Sequence, residues 1–231
     1  MNPIEHDTVA YYQKRLMVLR TTLISLKWHR ALRCLEYALR YHTGTRKDKK
    51  TPEFLHQVEQ ALFALTLRTL LLYPEETICV IILHDTLEDY YNKGVRLSNI
   101  REVATIPNYT FALNIEHDSH MADLVVTGVE LLTNNVDGAE KPKNIYYPQM
   151  GFHVIAAVAK ACDRMNNQST MAFVFTDEKM RAKIDETMDY VFPMLKFARR
   201  EFPQQEDAYQ ILKTVLEQQV RLLEHVIKIG K

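Results

Sequence analysis

Glycine and proline are scarce, six and eight among 231 residues, and no alternating apolar and polar pattern of useful strand length interrupts the chain. Strands need turn residues at short intervals, so this scarcity argues against a sheet and for helix. Charge of one sign is lacking too: 29 basic residues balance 29 acidic ones. There is therefore no global electrostatic footprint for nucleic acid or an anionic membrane, and an anionic ligand has to be held by a local cluster. Long apolar runs are also missing. The first thirty residues carry Lys14, Arg15, Arg20 and Lys27 without an unbroken apolar stretch, and nothing reaches the roughly 20 residues of a membrane span. The expectation is a soluble, cytosolic protein. Cysteine is limited to Cys34, Cys79 and Cys162, widely spaced in apolar surroundings. That fits reduced core residues better than a disulfide framework or a CxxC knuckle.

What is present is apolar spacing of helical period. With 47% hydrophobic and 25% charged residues and no linker, the chain reads as one all-α domain over residues 1–231. Val9 to Tyr41 supports one or two helices through Tyr12, Leu16, Leu19 and Leu23, then Leu32, Leu35 and Ala38. A lysine-rich loop from Gly44 to Pro52 follows, then a helix toward Leu72, stopped by Pro74. Glu75 to Tyr91 is the next helix, with Asn92-Lys93-Gly94 as its C-cap. The region from Pro107 to Pro148 is less regular, with a helix expected over His120 to Leu132 and a loop around Asn134 to Gly138. Phe152 to Met165 is small and apolar, as a fully buried helix would be. Two amphipathic helices close the chain, Glu178 to Arg199 with a kink at Pro193 and Glu206 to Lys228. The first 25 or so residues and the last helix fit either core packing or a homo-oligomer contact.

Chemistry concentrates in Ile82 to Tyr91, "ILHDTLEDYY". On a helix, residues four apart share a face, so His84 stacks with Glu88 and Asp85 with Asp89. Apolar Val80, Ile81 and Leu83 precede the pair, and an imidazole with three carboxylates is costly there unless something positive sits among them. A divalent metal answers that need, with His84 and Asp85 as ligands and Glu88 and Asp89 one turn on to position or deprotonate a water. Further ligands would come from other helices. His42 and His56 flank the lysine-rich loop, and Asp163 follows the buried run Ala156 to Cys162. Asp163 is equally open to a salt bridge with Lys160 or Arg164. Asn167 shares its face. His6-Asp7 and His117-Asp118 repeat the dipeptide without a Glu-Asp pair one turn on, and read as coincidences.

Spread over roughly residues 30–200, five segments in order resemble the HD-type hydrolases of the RelA/SpoT group, which remove pyrophosphate from the 3′ position of ppGpp and pppGpp. "YALRYHTGTRKD" and "KTPEFLH" lead to His56, "LHDTLED" is similar to the family's Leu-His-Asp-x-x-Glu-Asp, "VTGVELLT" matches a following segment, and "VAKACDRMNN" matches Ile-Lys-Leu-Ala-Asp-Arg-Leu-His-Asn. "KIDETMDYVFPML" looks like the helix after it. The resemblance, closest to the small stand-alone alarmone hydrolases, implies an HD-type helical bundle. It implies His56, His84, Asp85 and Asp163 as ligands of Mn²⁺, and Glu88 and Asp89 as the catalytic, water-handling pair. Arg46 and Lys47 would serve base and phosphate, and Asn167 the ribose. Departures fall around the substrate: Glu53-Phe54 replaces a Tyr-Ile pair, Gln57 a proline and Asn166 a histidine.

Two other readings stay open. The same metal logic serves an HD phosphohydrolase of another nucleotide, a deoxynucleoside triphosphate or NADPH, and a non-catalytic nucleotide sensor is the third. Tyr90, Tyr91, Tyr146 and Tyr147 either stack a base or close a core, the second being the commoner use of paired aromatics. His153 reads as a core histidine.

Overall fold

The computed structural model describes residues 3–46, 49–106, 112–136 and 139–229, with side chains for all of these except 3–7, 112–115, 136 and 173. The chain is all-α, as its spacing predicts. The N-terminal stretch forms two helices, α1 (Pro3–Ser25) and α2 (His29–Tyr41), which part at Lys27, where φ is +58°. Then come α3 (Leu55–Thr66), α4 (Pro74–Tyr90), α5 (Leu97–Ala104), α6 (Ala112–Leu132), α7 (Lys143–Gly151), α8 (Ala156–Val174), α9 (Asp177–Glu186), α10 (Phe192–Glu201) and α11 (Glu206–Ile229). A hairpin of two-residue strands, β1 (Asn135–Val136) and β2 (Ala139–Glu140), joins α6 to α7.

The centre of the bundle is α4. Pro74 opens its first turn with Glu75 and Glu76 beside it, where a missing N–H costs nothing and negative charge suits the helix dipole. Gly94 closes the following turn at φ +90°, so the expected C-cap is where the sequence puts it. Ile78 to Leu83 are at most 1% exposed, because α2, α3, α6 and α8 pack around the helix on all sides. Its counterpart is α8, whose first apolar turns lie against α3, α4 and α6 and whose far face meets α11. One continuous core runs from Leu19 on α1 to Leu216 on α11. A smaller cluster of Met171, Met180, Ile184, Val220, Leu223 and Ile227 joins α8, α9 and α11. Cys34, Cys79 and Cys162 are free and buried.

Several boundaries differ from the spacing. The helix expected to run from Pro52 toward Leu72 covers only Leu55–Thr66, with a 3₁₀ turn at Arg68–Leu70. Pro148 lies inside α7, and α8 starts at Ala156 rather than Phe152, where the His153 ring caps it by accepting from the Ile155 and Ala156 N–H groups at 3.3 and 3.2 Å. Burial lowers that imidazole to about 4, so it stays a neutral acceptor. The Pro193 kink is a π turn over Thr187–Val191 before α10: proline has no N–H to return to Asp189, and the turn widens. Among the described residues, no helix is long and apolar enough to cross a membrane.

Gly128 on α6 packs directly against Val80 of α4. A Cβ there would lie 2.7 Å from Val80 Cγ2, a stiff β-branched side chain with no exposed surface. Overpacking of this kind costs about 1–3 kcal/mol, against about 1 kcal/mol gained in helix propensity. Gly128→Ala is therefore expected to lower the urea midpoint, and a variant as stable as the parent would show that the two helices have slack.

Candidate metal centre

Three helices supply the site. The first two turns of α3 carry His56, Gln57 and Gln60, the last two turns of α4 carry His84, Asp85, Glu88 and Asp89, and the middle of α8 carries Asp163, Asn166 and Asn167. Each pair of these helices is in contact, so residues more than a hundred positions apart meet. Ligand atoms of His56, His84 and Asp163, all three buried, lie within 4.8 Å of one another. Asp85 stands beside that group rather than in it. Its Oδ1 is 3.1 Å from His84 Nε2, and its Oδ2 accepts from Gln57 Nε2 at 2.7 Å.

Ring orientation follows from the outer partners. His84 Nδ1 donates to the Ile81 carbonyl at 2.8 Å, so Nε2 carries the lone pair. That Nε2 is buried without a hydrogen-bond partner. His56 Nδ1 meets the Asn166 amide oxygen at 2.6 Å, an atom that only accepts, so the proton sits on Nδ1 here as well. His56 Nε2 then faces Asp163 Oδ1 at 3.0 Å, with the Gln60 amide nitrogen at 2.5 Å. Both imidazoles thus turn lone pairs toward carboxylate oxygens, an arrangement that repels unless a proton or a cation lies between. Two ring nitrogens and one or two carboxylate oxygens form a mixed donor set that suits divalent ions from manganese to zinc.

Charges around the centre are arranged in two walls of a cleft of about 510 Å³. One wall is acidic, with Glu53, Asp85, Glu88 and Asp89. Desolvation in the cleft, then the charges of Asp85 and Glu88, push the Asp89 carboxyl up to about 6, a shift that a cation would oppose. Glu88 Oε2 accepts from the Asn134 N–H at 2.8 Å, so the β-hairpin segment fixes that carboxylate. The other wall is basic. Lys160 Nζ lies 3.0 Å from Asp163 Oδ2; burial alone would raise the Asp163 carboxyl, but Lys160 and then His56 outweigh it and hold it well below the usual range. Lys143, Arg164 and Lys183 converge on Glu186 at 3.2, 2.5 and 2.9 Å, more cations than one carboxylate neutralises.

The sequence-derived residues thus meet at one place, with differences in detail. Lys160, not Arg164, pairs with Asp163, so ion pair and candidate ligand are the same carboxylate using different oxygens. Asn167 Nδ2 donates to Asp163 Oδ1 at 2.8 Å. Arg46 lines the cleft, and Lys47 lies outside the described residues. His42 is committed to Thr86 Oγ1 at 3.0 Å. Tyr146 and Tyr147 close the floor, their hydroxyls donating to the Leu132 carbonyl and Glu186 at 2.5 Å, so the core-closing use holds. Asp118 is neither loop nor ligand: it is buried in α6 against Arg30. The basic wall around Glu186 was missed, since its members are scattered from α7 to α9; the Tyr-Tyr pair three residues after Lys143 was the one local signal. No family model matches the chain, and no curated protein matches it significantly.

Proposed function

We propose that the chain is a metal-dependent phosphohydrolase of the HD type that removes the 3′-pyrophosphate of the guanosine alarmones ppGpp and pppGpp. The observation that carries this reading is His84 Nε2, a buried lone pair without a hydrogen-bond partner, 3.1 Å from a carboxylate oxygen and close to His56 and Asp163. His56, His84, Asp85 and Asp163 would hold Mn²⁺, which when bound lowers the pKa of a water and offsets pyrophosphate charge. The chain's own groups supply the rest. Glu88, anchored through Oε2, leaves Oε1 to take a proton from the attacking water, with Asp89 beside it. Water oxygen bonds to the phosphorus next to the ribose, the bond to the 3′ oxygen breaks, and the Glu88–Asp89 pair returns a proton to that oxygen, giving GDP or GTP and pyrophosphate. Lys143, Lys160, Arg164 and Lys183 offer the cations a polyphosphate needs, Arg46 and Lys47 serve the base side, and Asn167 keeps Oδ1 for a ribose hydroxyl.

A second reading, hydrolysis of another nucleotide, is favoured by Glu53. Its Oε1 accepts from Tyr90 Oη at 2.5 Å and from the Gly44 N–H at 3.1 Å, so the cleft mouth presents a carboxylate where the resembling family has tyrosine. Incubating Mn²⁺-loaded protein with ppGpp, deoxynucleoside triphosphates and NADPH, and identifying the products, separates the readings. GDP and pyrophosphate from ppGpp are expected. Intact ppGpp beside turnover of another nucleotide would establish the second reading, and binding without turnover of any would establish a sensor.

A further inference from the structure

Three of the four proposed ligands are buried and held by partners on α4 and α8. His84 is fixed by the Ile81 carbonyl, His56 by Asn166, and Asp163 by Lys160 and Asn167. Asp85 differs: its side chain is 33% exposed, and among the described residues its one side-chain hydrogen bond comes from Gln57. Gln57 is itself 3% exposed, in the first turn of α3 directly after His56. Its Nε2 donates to Asp85 Oδ2, and its Oε1 is buried without a hydrogen-bond partner while lining the cleft. A residue kept only to pack α3 on α4 would not bury an orphan amide oxygen, because that costs stability an apolar side chain of the same length would not.

We propose that Gln57 is a positioning residue of the metal centre: it ties down Asp85 Oδ2 so that Oδ1 faces His84, and its Oε1 accepts a hydrogen bond from a water or hydroxyl at the centre. The proposal rests on the metal reading above. Without the tether, a partly exposed carboxylate regains its rotamers and turns to solvent, so the ordering has to be supplied by the metal itself. Outer partners of this kind alter metal affinity by about ten- to hundredfold.

Gln57→Met keeps the length and the packing and removes both polar atoms. Titration of metal-free protein with Mn²⁺ is expected to show a Kd raised by about ten- to hundredfold, while the thermal midpoint of the metal-free variant does not fall, since an unpartnered amide oxygen has left the interior. A role in packing alone leaves Mn²⁺ affinity unchanged whatever the midpoint does, since the methionine fills the same space, and that result overturns the proposal. Gln57→Leu repeats the test with a branched side chain should the methionine variant fail to fold. If the unsubstituted protein takes up no Mn²⁺, the centre itself is refuted and the role of Gln57 with it; uptake by the parent with equal uptake by the variants refutes the role alone.

Discussion

Glu88→Gln is expected to reduce kcat with ppGpp by about 10²–10⁴-fold, the usual worth of a positioned general base, while Mn²⁺ still binds. The contrast rests on where Glu88 sits. Its Oε2 accepts from the Asn134 N–H, and a glutamine amide oxygen can accept the same bond, so the hairpin segment and the side-chain position survive the change. What disappears is the charge that takes the proton. Glu88 also lies outside the group formed by His56, His84 and Asp163, so the donor set is untouched. Asp85→Ala should behave differently, losing metal as well as turnover, because it removes a carboxylate oxygen 3.1 Å from His84 Nε2. Steady-state rates and a parallel Mn²⁺ titration measure both quantities. Full activity in Glu88→Gln would remove Glu88 from the mechanism, and joint loss of metal and activity would make it a ligand instead.

The parts of the fold legible in the sequence are those governed by local physics. Pro74 and Gly94 bracket α4 because each acts through its own backbone, and the all-round apolar pattern between them reports burial from every side. Short or interrupted elements escaped: the apolar stripe of α5, Leu97, Ile100, Val103 and Ala104, spans only eight residues, α7 contains Pro148, and the apolar spacing of α6 is broken by Glu116 to His120. The polar segment Glu116 to His120 is helical because Asp118 binds Arg30 and the Ile106 N–H, neither of which spacing can reveal. The π turn before Pro193 is a middle case, since a kink follows from proline but its form does not.

The same division holds at the candidate centre. His84, Asp85, Glu88 and Asp89 are one helix face and were readable as such. His56, beside His42, and Asp163, after its buried run, were open candidates that motif likeness selected, and the structure brings them to His84. Ring orientation was not readable, because His56 owes its unprotonated Nε2 to Asn166, a hundred and ten residues away. Both Gln57 and Asn166 stood out in the sequence only as departures from a pattern, and both turn out to hold side chains of the centre in place. A substitution beside a ligand changes what can anchor it, so departures of this type are worth reading as outer partners before they are read as losses.

Arg30→Ala is expected to cost the largest amount of stability of any single change outside the centre. The guanidinium is 4% exposed and links four helices: from α2 it donates to Glu76 on α4 at 3.3 Å, to the Ala104 carbonyl at the end of α5 at 2.5 Å, and to Asp118 on α6 at 2.8 and 2.9 Å. Truncation leaves two buried carboxylates and a carbonyl facing a cavity. Breaking such a buried pair by removing one partner costs about 3–5 kcal/mol, a large share of the about 5–15 kcal/mol that holds a domain folded. With a urea slope of about 1–3 kcal/mol per molar, the midpoint should fall by at least about 1 M. Arg30→Lys keeps the charge but not the fork, so one ammonium cannot reach Asp118, Glu76 and Ala104 together, and its midpoint should lie between those of the alanine variant and the parent. The N-terminal end of α2 is not the cause of the loss, since Glu75 Oε1 accepts from the backbone N–H groups of residues 30 and 31 whatever side chain position 30 carries. A loss no larger than the about 0.5 kcal/mol of an ordinary surface substitution would mean that the carboxylates find water once the arginine is gone.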